Sequence, residues 1–545
     1  MRIDRNRSYE ELYRDFRWDV PGDFNIARVA CDDWAEREPD RVCLTHYSPD
    51  GQHLEMTYGE LSGCSNAFAR ALQALGVGAG DRVALLLPQG FDTVIAHMAI
   101  FKLGAISVPL ALLFGVEGLQ HRLAASGARA IVSTREGAYK VQAIRSSLPA
   151  LEHIVVSGES RGWDDRMDAL ISAYRQEPIN VIGGRDDPAL MIFTSGTTGA
   201  PKGALHGHRV LAGHIPGIQF HHEFMPQPDD LMWTPADWAW AGGLLNVLLP
   251  ALLLGVPVVS SPAQKFDPEL AFRILEEMGV RNAFIPPTAL RIMRSVENPA
   301  ARYRLRLRTV SSAGEALGRD TYEWGQRALG LTINEFYGQT ECNAVLSSCA
   351  ARDVSKGGAI GRPVPGHDVA IIDATGALMP AGTVGQIAVR RPDPAMFLGY
   401  WRNEEATRSK FVGDWMLTGD QGVLDDEGFI SFFGRDDDVI TSSGFRIGPG
   451  EIEDCLIGHP AVALAAVVGK PDPIRTEIVK AYIVLADGQT ADEALRRDIQ
   501  TFVKERLSAH EYPREIAFVD SLPVTTTGKV IRRELRDKAA GEVGN

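Results

Sequence analysis

Between residues 193 and 203 the chain reads Phe-Thr-Ser-Gly-Thr-Thr-Gly-Ala-Pro-Lys-Gly, directly after an apolar run. Gly196 and Gly199 let backbone N–H groups approach an anion closely. The hydroxyls of Thr194, Ser195, Thr197 and Thr198 add donors, and Lys202 adds charge, which is the chemistry of a loop that cradles phosphates. It is not the loop of kinases and ATPases: counted from Gly196, the G-x-x-x-x-G-K pattern needs glycine where Pro201 stands. Such an enzyme would also release ADP rather than pyrophosphate. A Ser/Thr/Gly surface turn is the plain alternative for this segment alone. Five histidines follow (His206, His208, His214, His221, His222). Neither a cysteine nor an H-E-x-x-H pattern accompanies them, so they read as structural and not as a zinc site.

Four further segments carry compatible chemistry, in this order: Ala313-Gly314-Glu315-Ala316, Tyr337-Gly338-Gln339-Thr340-Glu341, Thr418-Gly419-Asp420, and GRDDDVITSSGFRIGPGEIE over 434–453. Thr527-Gly528-Lys529 closes the series. Together with TSGTTGAPKG they resemble the motifs of the adenylate-forming (AMP-binding) superfamily, which includes acyl-CoA synthetases, luciferases and peptide-synthetase adenylation domains. Ala316 stands where proline is common. The resemblance covers the chain from about residue 25 to 538, and DVITSSGFRIGPGEIE, HPAV and PDPIRTEIVKAYIVL are most similar to short- and medium-chain acyl-CoA synthetases.

The resemblance implies two steps. A carboxylate attacks the α-phosphate of ATP to give acyl-AMP and pyrophosphate, and the CoA thiol then displaces AMP. No covalent enzyme nucleophile is needed, so positioning and charge must do the work. By the same resemblance the 194–199 loop and Lys202 wrap the β- and γ-phosphates, Thr340 meets the α-phosphate, and Glu341 helps to hold Mg²⁺. Tyr337 stacks on adenine, bordered by Gly314, Glu315, Ala316, Glu335 and Phe336. Asp420 accepts the ribose hydroxyls, Arg435 approaches from the ribose side, and Lys529 bridges carboxylate and phosphate oxygens. Asp437 is the expected hinge. Gly444 and Arg446 replace Lys529 in the thioester-forming state, and Lys504 stands near the CoA phosphates or is an ordinary helix-surface lysine. ATP, Mg²⁺ and coenzyme A are thus the implied ligands, beside the acid. A catalytically dead binding protein would show damage at Lys529, Glu341 or Asp420, and all three are intact.

Acetate-specific members of the superfamily narrow the acyl pocket with a tryptophan at the place held here by Gly338. Ala241, Gly242 and Ala313 are small at other positions expected to line it. Each added buried methylene gains about 0.8 kcal/mol, so an acid longer than acetate is expected: short- or medium-chain, branched, or aryl. Of Trp233, Trp238 and Trp240, at least two read as core. No obvious amino-acid-selecting acid other than Asp237 stands in this segment and no carrier domain is expected downstream, which weakens the peptide-synthetase reading. The context Pro-Val-Thr-Thr-Thr-Gly-Lys529 lacks the basic residue, and has threonine for serine, of the acetylation sites in related bacterial enzymes. The case for a lysine acetyltransferase acting on Lys529 is therefore thin. Oligomeric state is not legible, and a homo-oligomer stays open.

The elements that must position these residues follow from pattern. Short apolar runs at 82–88, 105–108, 130–133, 256–260, 282–286, 309–314 and 332–336 alternate with helical stretches at 91–103, 117–126, 268–278 and 318–329. That alternation predicts parallel sheets covered on both faces, with sites beyond the strands' carboxyl ends. After about residue 358 hairpins without helices take over. Beyond 434–438 comes a compact unit with a helix over 451–457, two long strands, a helix over 491–507, a strand over 516–519 and a basic helical tail. The expected architecture is α/β: a body over 1–434 with two doubly wound mixed sheets and a small β-barrel-like part, a hinge over 435–437, and a small mobile α+β domain over 438–545.

Seventy acidic residues against 56 Lys and Arg give a formal charge of −14, which argues against a dedicated nucleic-acid binder. Six scattered cysteines without a C-x-x-C pair suit a reducing compartment. The N-terminus has no apolar h-region, so a cytoplasmic location is expected. Residues 238–264 carry no charge, but their prolines and glycines favour a helix and strand inside a large core over a membrane span.

Overall fold

The computed structural model describes residues 3–542 apart from 159–162, 164, 195–200, 262–264, 443–444, 473–474, 508–510 and 525–528; the side chains of Phe445 and Arg446 also lie outside the description. Two large mixed sheets form the body, one of nine strands and one of seven. In the seven-stranded sheet Arg82–Leu86 lies parallel to both Ile106–Pro109 and Ala130–Thr134, and the helices Phe91–Lys102 and Val116–Ser126 make the crossovers. In the nine-stranded sheet Asn282–Phe284, Thr309–Ser312 and Ile333–Tyr337 run parallel in that order. The β-rich runs thus fall where the alternation places them. One core cluster draws on both sheets, with Leu44, Met232 and Val258 from one and Val83, Val132 and Leu190 from the other. Each such aliphatic side chain, fully buried, is worth roughly 1.5–3 kcal/mol.

The uncharged stretch after Trp238 is a helical run in three pieces, Ala241–Gly243, Leu244–Leu248 and Leu249–Leu254, followed by the strand Val258–Ser260. It is apolar all round because core surrounds it. Among the described residues no helix is long and apolar enough to cross a membrane. Trp233 and Trp238 are each 1% exposed, while Trp240 is half-buried and meets Phe114 edge-on at 5.8 Å. Two of the three tryptophans are therefore core.

The small β part corrects the expectation of a barrel. It is an open antiparallel sheet of Val369–Ile372, Val384–Arg390, Trp415–Leu424 and Phe411–Val412, with Ile430–Arg435 also paired to Trp415–Leu424. An edge strand of two residues is too short to close such a sheet on itself.

From Ile440 onward a separate five-stranded sheet forms around the hairpin of Val462–Asp472 and Thr476–Leu485. Pro449–Ile457 and Glu493–Arg506 cover one face with Ile452, Leu456, Ile499 and Val503, and Arg532–Gly541 covers the other with Leu535 and Ala539.

Candidate active site

Strand Ile333–Tyr337 and the turn after it hold the centre of the site. Side chains alternate along a strand, and Phe336 faces inward: it is 2% exposed, stacks on His221 at 4.2 Å and tilts against Phe284 at 5.5 Å. Its ring is therefore wall and core, and only its backbone is left to border a nucleotide. Glu335 and Tyr337 lie on the opposite face. The 339–342 turn is closed by reciprocal backbone hydrogen bonds of 2.9 and 3.2 Å between Gln339 and Cys342, which places Thr340 and Glu341 at its tip.

Asp420 sits on Trp415–Leu424, directly across the ladder from Arg435. Its Oδ2 accepts from the Tyr337 hydroxyl and from Gln339 Nε2, the latter at 2.9 Å. Its Oδ1 is 3.9 Å from Arg435 Nε. Burial raises the Asp420 pKa, opposed chiefly by Arg435 and then by these hydrogen bonds. Arg435 Nε also stands 3.5 Å from Asp437 Oδ1 and is buried with no hydrogen-bond partner. An orphaned guanidinium nitrogen beside a carboxylate suits a site built to receive further oxygens.

On the other side of the turn, Glu341 is 7% exposed and accepts a hydrogen bond from the Tyr400 hydroxyl, while Lys202 Nζ lies 5.3 Å from the centre of the Tyr400 ring. Thr194 N donates to Lys202 O at 2.9 Å, pinning together the two ends of the glycine-rich loop. Ser195, Gly196, Thr197, Thr198 and Gly199 lie outside the described residues. One carboxylate with a neighbouring hydroxyl at Thr340 fits a hard Mg²⁺ ion that arrives largely held by phosphates. Among the described residues no group of three His, Cys, Asp or Glu converges on a metal position. The five histidines near the loop are buried, and three show clear structural partners: His208 with Asn25 and the Ile26 amide, His214 with the Val210 carbonyl, and His222 with Thr309 and Ser311.

Gly314 adopts φ +100°, a conformation favouring glycine. Glu315 accepts from Thr288 and pairs with Arg291 at 3.0 Å, and Arg291 also donates to the Ala316 carbonyl. Glu335 accepts from the Leu317 amide at 3.1 Å, and burial pushes its pKa up to about 8. Lys529 reaches this rim from the C-terminal unit: its Cε is 4.0 Å from where a Cβ on Gly314 would stand. Crowding by protein lowers its pKa against the pull of Glu315 and Asp420, although one side of the residue stays open to solvent.

The small residues behave differently from one another. Ala241 and Ala313 pack on the same cluster as Phe284 and Phe336, and a Cβ on Gly242 would lie 3.0 Å from the Phe284 ring. At Gly338, however, a Cβ would fall 2.4 Å from Asn343 Cα and 2.6 Å from Ala344 N. Close approach of the following turn accounts for this glycine, and pocket width does not follow from it.

Asp437 lies between cations, 3.5 Å from Arg435 and 3.7 Å from Arg536. Gly444 and the Arg446 side chain are outside the described residues. Lys504 is exposed on Glu493–Arg506, 5.7 Å from the Tyr512 ring. Sequence reasoning missed Gln339, Tyr400, Lys410, Arg291 and Phe284. Gln339 was within reach as the variable position of its motif; the others carry no local signal.

A two-sheet α/β body whose carboxylates, hydroxyls and lysines gather at one cleft, met by a lysine from a separate C-terminal unit, defines an enzyme of the adenylate-forming class. The chain belongs to the AMP-binding enzyme family: that family matches residues 31–401, and the AMP-binding enzyme C-terminal domain matches 451–529. The acetyl-coenzyme A synthetase of Bacillus subtilis is 34% identical, with 97% of this chain and 95% of the relative covered. The mitochondrial acyl-coenzyme A synthetase ACSM3 of Mus musculus is 33% identical over 97% and 93%. Among solved structures, the anthranilate CoA ligase AuaEII in complex with anthranoyl-AMP superposes with a TM-score of 0.89 at 29% identity, covering 97% of this chain and 99% of the other. The protein is an AMP-forming acyl-CoA synthetase, a CoA ligase.

Proposed function

We propose that the protein activates a carboxylic acid longer than acetate, with the residues of the cleft in the roles their chemistry suits. A carboxylate oxygen attacks the α-phosphorus of ATP, the bond to the bridging oxygen breaks, and pyrophosphate leaves. The thiol sulfur of coenzyme A then attacks the acyl carbon, AMP departs as the leaving group, and the thiol proton is lost to solvent. Lys529, beside Gly314, neutralises oxygens of the acid and α-phosphate. Asp420 accepts ribose hydroxyls, and Thr340, Glu341 and Lys202 face the phosphates. Mg²⁺ would be held by Glu341 and would offset phosphate charge. The observation that supports the reading is the approach of Lys529, a cation of the C-terminal unit, to the Gly314 rim within the electrostatic reach of Asp420 and Arg435.

Preference for a longer acid rests on the small side chains of Ala241, Gly242 and Ala313, which stand beside the cluster that holds the Phe284 and Phe336 rings. That two-ring wall also favours a second reading, an aryl acid, because offset or edge-on rings gain about 0.5–1.5 kcal/mol beyond their buried area. CoA-dependent AMP release over straight-chain acids from acetate to dodecanoate, branched acids and benzoates tests both. Higher kcat/KM for a longer or aryl acid than for acetate is expected. Acetate as the best substrate would overturn the proposal.

A further inference from the structure

Lys410 belongs to no motif and stands in the polar segment Ala-Thr-Arg-Ser-Lys-Phe, before the strand that carries Asp420. Its ammonium has three protons and three acceptors: Leu417 O at 2.9 Å, Thr418 O at 3.4 Å and Gln339 Oε1 at 3.4 Å. Ammonium donates only, so the Lys410 bond agrees with the orientation of the Gln339 amide that its other two partners require. The Nε2 end then donates to Thr418 O at 2.7 Å and to Asp420 Oδ2 at 2.9 Å. Without Lys410 the Oε1 end of the amide loses its cationic partner, and the side chain is held from its Nε2 end alone. Lys410 also adds a half-buried positive charge that Glu341 and Asp420 both feel.

We propose that Lys410 is a positioning residue for the nucleotide: through Gln339 it holds the Asp420 carboxyl turned so that Oδ1, beside Arg435, faces the ribose. This rests on the reading of Asp420 as the ribose acceptor. Each link is a direct contact, and together they join a lysine outside every motif to the carboxylate in two hydrogen bonds. A purely structural lysine would tie the 410 turn to Leu417 and Thr418 without need of the glutamine.

The test compares the affinity of ATP with that of 2′,3′-dideoxy-ATP, measured by calorimetry on the full chain. Lys410→Met is expected to weaken ATP by about tenfold, the loss of roughly one charge-assisted contact, and to leave dideoxy-ATP within about twofold of the wild type. Lys410→Arg, which keeps the donor, should restore most of the difference. Gln339→Leu should reproduce the ATP-specific loss, and the double variant should lose no more than either single one. Equal weakening of both nucleotides, or additive losses in the double variant, would overturn the role. If Lys410→Met does not fold, Gln339→Leu with the lysine intact carries the same comparison: an ATP-specific loss supports the role, and equal weakening of both nucleotides overturns it. A wild type that binds ATP and dideoxy-ATP equally would instead sink the ribose reading of Asp420, and a wild type that releases no AMP with any acid would sink the proposed function.

Discussion

At the residue scale the site treats two carboxyls on different strands, Asp420 and Glu335, in different ways. Asp420 is buried but surrounded by donors and cations, from Arg435 to Tyr337, Gln339 and Lys410. Glu335 has burial as its largest influence and only the Leu317 amide and the distant Arg291 in opposition, so its pKa rises to about 8. At neutral pH Glu335 therefore holds its proton and can donate a hydrogen bond as well as accept one. The sign of the linkage follows. The folded pKa lies above the unfolded value of 4.5, so the contribution of Glu335 to stability is complete below about pH 4.5 and is lost as pH rises through about 8. Glu335→Gln mimics the neutral acid. Its melting temperature should thus gain on that of the wild type as pH is raised across this window, with ATP affinity at pH 7 nearly unchanged. Parallel melting curves at all pH values would show that Glu335 is ionised in the fold.

At the element scale the strand and turn from Ile333 to Leu346 do most of the positioning, and they show what a sequence can and cannot reveal. The strand itself was legible from its short β-rich run and its motif. So were Asp420, Glu341 and Lys529, because their spacing is tied to recognisable loops. Period-2 alternation could have assigned Phe336 to the wall, and the motif resemblance obscured it. Gly338 shows a deeper limit: missing side-chain volume is visible in a sequence, but whether another segment fills that volume is not. Here the turn at Asn343 and Ala344 fills it. Gly338→Ala should accordingly destabilise the protein by about 1–3 kcal/mol, the usual cost of overpacking, and reduce activity toward every acid alike. Denaturant unfolding with the substrate panel checks this; a stable variant selective for short acids would instead place position 338 on the acyl pocket. Lys410, Tyr400 and Arg291 act across long sequence separations, and nothing local distinguishes them from surface residues.

At the scale of the whole molecule, a chain of charge −14 still gathers several cations at one cleft. Lys202, Lys410, Arg435 and Lys529 face Asp420 and Glu341, while Glu315 is paired with Arg291 and Glu335 is neutral. Net charge thus bears on the surface and not on a site for polyanions. The cleft is complete only while the C-terminal unit is docked, and one contact makes docking sensitive to pH. Asp454, on Pro449–Ile457, lies against Gly318 of the body, where a Cβ would stand 2.8 Å from its Oδ1. Burial there raises the Asp454 pKa to about 7; Arg291 opposes the rise, and Glu453, Asp320 and Glu451 add to it. Below about pH 7 the carboxyl is neutral and docking carries no penalty, whereas above it a charge must be buried among three other acids. Raising pH from about 6 to about 9 should therefore slow acyl-AMP formation more than thioester formation from supplied acyl-AMP, if the unit rotates between the two steps. Asp454→Asn should hold the ratio of the two rates constant over the same range, and ATP and pyrophosphate titrate identically for both proteins. A ratio that falls equally in the variant would place the pH dependence in the cleft and not at the docking face.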